Sequence, residues 1–197
     1  MMNRRALRTG WMALVLLSTP SGLAAQPLAP AGTGVNVAVT GVVGVMGADL
    51  TGPMQVARTL APRVELALGA TPRLGVLAAW STQGVTIDRE AFEIVSLELG
   101  LRYTGHVGRT WRPFADVGMA RRAFHYETPQ VIRATTLAPW GAVGLVRRPR
   151  GPVGVEVALT GAPSTFDQFT VDDVIETLQP VRTRMLGARI GVRFWFD

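Results

Sequence analysis

Leu186-Gly187-Ala188-Arg189-Ile190-Gly191-Val192-Arg193-Phe194-Trp195-Phe196 is the stretch that decides the fold. At period two, Leu186, Ala188, Ile190, Val192, Phe194 and Phe196 fall on one face, and Gly187, Arg189, Gly191, Arg193 and Trp195 on the other. A strand with an apolar outer face and small or cationic residues inside suits a barrel whose exterior dissolves in hydrocarbon while its lumen stays polar. A soluble barrel would carry the opposite polarity.

The N-terminus agrees with export. Arg4, Arg5 and Arg8 precede a short apolar core, Trp11 to Leu17, and Leu23-Ala24-Ala25-Gln26 offers small residues for cleavage. This three-part layout predicts a secretory signal peptide over residues 1–25, with residues 26–197 forming the mature barrel domain. The apolar core is far shorter than the roughly 20 residues a spanning helix needs. All 20 basic residues are arginine, and loss of the signal leaves 17 against 14 acids, a net charge of +3. They are spread along the chain, so a nucleic-acid partner is not expected. The absence of cysteine excludes a disulfide framework and a lipid-bearing N-terminal Cys.

Seven further alternating runs precede the last: Val35–Val45, Val64–Gly69, Leu74–Ser81, Val95–Tyr103, Pro113–Arg121, Leu137–Val146 and Val153–Thr160. Their valines and their Gly/Pro punctuation favour strands. Within the sixth, Pro139-Trp140-Gly141 is expected to introduce a bend. Short turn-rich connections at 70–73, 105–110 and 147–152 alternate with longer segments at 46–63, 82–94, 124–136 and 161–183. The predicted architecture is an all-β, eight-stranded antiparallel transmembrane up-and-down barrel, with both termini and the short turns on the periplasmic side.

This combination resembles the small outer-membrane barrels of the OmpA, OmpX and opacity-protein kind, over the whole mature chain. The resemblance implies residence in the outer membrane of a diderm bacterium and contact with outer-membrane lipids. In such families a C-terminal aromatic residue is read by the barrel-assembly machinery, which assigns that role here to Phe194 and Phe196, although Asp197 follows them. With one residue after Phe196, the peptidoglycan anchoring of OmpA-type proteins is not carried over.

The inward positions hold four acids, Glu65, Glu98, Asp116 and Glu156, and three arginines, Arg102, Arg189 and Arg193. Isolated charges in so narrow a space are costly, so these should pair. Counting from the turn at 105–110 sets Arg102 level with Asp116, and Glu156 faces Arg189 or Arg193 across the last two strands. Inward glycines at 100, 118, 154, 187 and 191 leave room for the long side chains. An eight-stranded interior is just wide enough for side chains to fill, so the lumen is expected to be plugged.

Catalytic signals are weak. His106 sits in a turn. His125 lies beside Phe124 and Tyr126 without the His-x-Ser-Asn pattern of outer-membrane lipid A hydrolases, and reads as part of an aromatic girdle. Asp172, Asp173 and Glu176 lack calcium-loop spacing. Val171, Val174, Ile175 and Leu178 instead predict a short amphipathic helix at the barrel mouth, the alternative being an extension of strands seven and eight beyond the membrane. No cofactor or metal is expected. Arg121, Arg122, Arg133, Arg182 and Arg184 mark the predicted outer rim and Arg73, Arg109, Arg112, Arg147, Arg148 and Arg150 the inner turns; the outer guanidinium groups suit lipopolysaccharide phosphates, and flanking charge that keeps a barrel at depth explains both sets equally well. The sequence thus favours a non-enzymatic barrel with a structural or surface-interaction role and an unidentified surface partner. A narrow pore or small-molecule conduit is the alternative, and a lipid-modifying enzyme comes third.

Overall fold

The computed structural model describes residues 34–49, 55–71, 73–87, 90–105, 110–127, 131–147, 151–172, 174–176 and 179–196. The predicted signal peptide, His106 and Asp197 lie outside them. Eight long strands run in sequence: β1 (Gly34–Ala48), β2 (Gln55–Gly69), β3 (Leu74–Ile87), β4 (Glu90–Thr104), β5 (Trp111–Glu127), β6 (Val131–Arg147), β7 (Val153–Phe166) and β8 (Val181–Phe196). Each pairs antiparallel with its neighbours, and β1 closes on β8 from Val35↔Phe196 to Ala48↔Thr183. The result is a closed eight-stranded barrel with the first and last described residues at one end.

The lower part, at the end carrying the termini, has the polarity that a membrane demands. Val39, Leu66, Leu99, Val117, Val143, Leu159 and Ile190 point outward and are exposed, while Glu65, Asp116, Glu156 and Arg193 are buried inside. Residues 186–196 of β8, at about 3.3 Å each and a tilt near 40°, cover roughly 26 Å, the height of a lipid-facing band. Tyr103, Trp111 and Phe196 line its lower edge, where Arg147 lies over the Trp111 ring.

The strands then run on past this band, which corrects the expected connections. Residues 55–63, 82–87, 90–94, 124–127, 131–136 and 161–166 are strand rather than loop. Only residues 49–54, 88–89 and 128–130 join the first three strand pairs at the far end, so long and short connections do not alternate there. The polarity of the strands inverts at this height. Val85, Phe92, Ile94, Phe124 and Phe166 point inward and form an apolar cluster with Met46 and Phe169. Arg58, Arg121, Arg133 and Arg184 point outward. The upper storey is built like a soluble barrel on top of a membrane barrel.

Three further expectations change. Phe124 and Tyr126 face the interior instead of a girdle; Phe124 packs on Phe92 at 5.1 Å and Phe166 at 5.9 Å between ring centroids. The predicted helix around 171–178 is a small hairpin, Phe169–Val171 with Val174–Glu176, laid against β6 at Ile132–Ala134. Asp172 makes its turn at φ 46°, a conformation Asp tolerates better than most residues. It exchanges bonds with Val131, whose amide donates to the Asp172 carboxylate at 3.0 Å. Finally, the irregularity expected at Pro139-Trp140-Gly141 leaves the pairing to β5 continuous from Val131 to Arg147 and falls on the other side, where the ladder to β7 ends at Gly141↔Gly161.

Candidate functional site in the barrel lumen

β2, β4, β5, β7 and β8 each aim charged side chains at the same level of the lumen. Arg102 and Asp116 are direct cross-strand partners. The Arg102 guanidinium donates through Nε and Nη2 to the two Asp116 carboxylate oxygens at 2.6 and 2.7 Å, a fork-to-fork geometry. It also reaches Glu156 at 3.2 Å and Glu65 at 3.1 Å. Arg189 donates to Asp116 at 2.9 Å and lies 2.8 Å from Glu156. Arg193 donates to Glu156 at 2.9 Å through Nε, and also to Glu65 and Asn36. Glu65 and Glu156 are fully buried, and Arg189 and Arg193 almost so. Each carboxylate is therefore shared by several guanidinium groups, the condition under which buried charge is tolerated.

Glu98 lies one layer up and pairs with a residue the sequence reading missed. Arg63, read as the end of a loop, points inward from β2. It donates to Glu98 at 3.0 Å and to Glu65 at 2.6 Å, joining the two layers. Rings wall the network: Phe114 lies 4.2 Å from the Arg102 guanidinium carbon and 5.6 Å from that of Arg189, and Trp140 5.6 Å from that of Arg63. The inward glycines fit this packing differently from expectation. A Cβ on Gly100 would meet Trp140 and one on Gly154 would meet Trp195, so these positions seat indoles rather than arginines.

Small spaces flank the plug among the described residues. A cavity of about 60 Å³ lies below it, lined in part by Asn36, Arg102, Arg193 and Trp195. Another of about 20 Å³ lies above, lined in part by Arg63, Gln83, Glu98 and Arg122. They have room for a few waters and for one, respectively.

Arg122 corrects a second expectation. It is buried within the lumen, not displayed at the rim, and it serves an irregular part of the wall. β6 and β7 pair only from Gly141↔Gly161 to Arg147↔Val155. Above that point β6 is joined on this side only by the hairpin strand, at Ile132–Ala134. Pro139 and Pro163, which have no amide hydrogen to give to a ladder, stand on the two sides of the unpaired seam. Arg122 reaches across it from β5 and donates to the Ala162 and Pro163 carbonyls at 3.3 and 3.4 Å and to Ser164 Oγ. One guanidinium thus supplies donors where ladder bonds are missing.

Phe194 and Phe196 project outward near the end of β8, with Trp195 turned inward between them. Among the described residues no His/Cys/Asp/Glu group has the grouping of a metal site.

No family model and no curated protein matches the chain. Solved structures do. Neisserial surface protein A superposes with a TM-score of 0.62 at 13% identity, covering 83% of this chain and 98% of that one. The outer membrane protein OprG from Pseudomonas aeruginosa gives 0.58 at 11% identity, over 85% and 98% of the two chains. The outer membrane protein AlkL, solved by solid-state NMR in DMPC lipid bilayers, gives 0.56 at 15% identity, over 91% and 97%. The chain has the fold of Gram-negative outer-membrane β-barrels, with a buried charged network filling its lumen.

Proposed function

We propose that this barrel is a non-enzymatic outer-membrane protein whose lumen is closed to ions and whose role is structural or surface-interacting. Its termini face the periplasm, and its partners are the membrane lipids, lipopolysaccharide among them. The observation that carries the reading is the continuous ion network from Glu98 and Arg63 down to Arg193, flanked by small cavities of about 20 and 60 Å³. Pure wild-type protein in a planar bilayer is expected to show little or no steady conductance. Large, stable, single-sized channels would overturn the reading.

A second reading, a conduit for a small apolar molecule, is favoured by one observation: the unpaired seam beside the apolar upper lumen. Faster entry of an apolar fluorescent probe into proteoliposomes than into protein-free vesicles would promote it over the first.

During biogenesis Phe194 and Phe196 serve as the recognition element for the barrel-assembly machinery. Their outward position on the closing strand supports this role. Replacing both by Ser is expected to reduce the heat-modifiable folded band recovered from membranes. An unchanged yield would assign recognition to some other feature.

A further inference from the structure

The outer wall across β6, β7 and β8 differs from the rest of the barrel. Val143, Leu145, Val157, Leu159, Ala188 and Ile190 border an apolar trough of about 480 Å³ on the lipid-facing side. The register makes it continuous with the seam. Val143 pairs with Leu159, and the next outward row is Gly141↔Gly161, two positions with no side chain. Above them the β6–β7 ladder ends.

Arginines stand on both sides of the seam. Arg121 pairs with Leu137 and Arg133 with His125 on the β5–β6 side. Arg184 pairs with Pro163 and Arg182 with Thr165 on the β7–β8 side. All four are exposed, and none makes an ion pair among the described residues. Nearby acids are engaged elsewhere. The Asp49 carboxylate accepts the Arg182 amide, the Asp172 carboxylate accepts the Val131 amide, and Glu93 accepts a bond from Thr82. On the β3–β4 wall the outward residues at this height are Thr82, Gly84, Thr86, Ala91 and Glu93, without a cation. Among the described residues, four outward arginines at this height stand on β5 to β8, the side that carries the trough, against one, Arg58, on β1 to β4.

We infer that this wall binds a phosphorylated, multiply acylated lipid of the lipid A class, an acyl chain lying in the trough and phosphates held by the arginines flanking the seam. Guanidinium pairs with phosphate through two parallel bonds, and Arg is better suited to this than Lys. Arg121 and Arg184 lie about three strand spacings apart, roughly 15 Å, so one broad headgroup with two phosphates can engage both sides. A single-phosphate phospholipid would satisfy one. The inference rests on the proposed orientation, with the rim opposite the termini facing outward.

The test uses the full barrel, purified in detergent and offered bis-phosphoryl lipid A, phosphatidylcholine or inorganic phosphate, with retained ligand counted by native mass spectrometry. Wild type is expected to retain lipid A at one to one and to prefer it over phosphatidylcholine. Arg121→Gln combined with Arg184→Gln should weaken retention about tenfold or more. Gly161→Leu, at a position where an added Cβ has only the Met185 carbonyl within 4 Å, sets an outward side chain between the trough and the seam and should also weaken it. Arg73→Gln, which removes a positive charge from the turn at the other end, should leave retention unchanged. Three results would each overturn the site: an equal loss in Arg73→Gln, full displacement by inorganic phosphate, or no effect of Gly161→Leu. Conductance of the same preparations separates the two proposals. A folded, non-conducting barrel that retains no lipid A refutes the site alone, whereas a conducting one refutes the closed-lumen reading.

Discussion

Asp116→Ala is expected to lower the unfolding free energy of the barrel by about 3–5 kcal/mol, the usual cost of leaving one side of a buried ion pair uncompensated. Asp116 is 3% exposed and takes bonds from two guanidinium groups, those of Arg102 and Arg189. In its absence Arg102 keeps Glu65 and Glu156, but these are already shared with Arg193. The measurement is a urea titration in lipid vesicles followed by the heat-modifiable band. Replacing Arg102 and Asp116 together by Leu should cost less than the two single changes summed, because neither is then left as a lone buried charge. A loss below about 1 kcal/mol for Asp116→Ala, smaller than a typical loss of a buried partner, would show that solvent in the lumen already screens the pair.

Arg122→Ala should act locally as well as globally. The Ala162 and Pro163 carbonyls lose their donor in a part of the wall where β6 offers none, at about 1–3 kcal/mol for a buried acceptor left unsatisfied. Amide exchange should accelerate over residues 162–166, apart from Pro163, which pair with β8 alone, while residues 155–161, paired on both sides, stay protected. Lys at this position should rescue only part of the effect, since a single ammonium cannot reproduce the planar fork. Unchanged stability together with unchanged exchange over 162–166 would show that the seam does not depend on Arg122.

Strand number, the antiparallel order and the inward or outward sense of the lower half were legible because one physical rule governs them. Hydrocarbon outside and charge inside produce a clean alternation, as in Val95–Tyr103, and a short turn lets register be counted to Arg102 and Asp116. The upper half was not legible by that rule. The phase of the strands continues but the polarity reverses, so Phe92 and Ile94 turn inward at the height where outward Leu97 and Leu99 give way to Glu93. Tracking outward apolar residues along a strand stops at the reversal and mistakes the upper storey for loop. Arg122 was misplaced for the same reason, since it stands beyond Met119, and Arg63 because Pro62 and Arg58 break the outward apolar row just above Val64. The seam left a faint trace in Pro139 and Pro163, and Pro62 in β2 likewise stands where the ladder to β3 is interrupted, between Leu60↔Gly84 and Arg63↔Ser81.

The distribution of the ion network over the chain has a consequence for the order of events during biogenesis. Arg63 and Glu65 come from β2, Glu98 and Arg102 from β4, Asp116 from β5, Glu156 from β7, and Arg189 and Arg193 from β8. The last two are the final charges of the network to leave the ribosome, and they reach Glu65 and Glu156 only when β8 has docked on β1 and β7. A barrel lacking its closing strand holds a surplus of negative charge in its half-built interior and is penalised for entering hydrocarbon. Completion of the wall and neutralisation of its contents are one step, so the fold carries its own checkpoint against premature release into the bilayer.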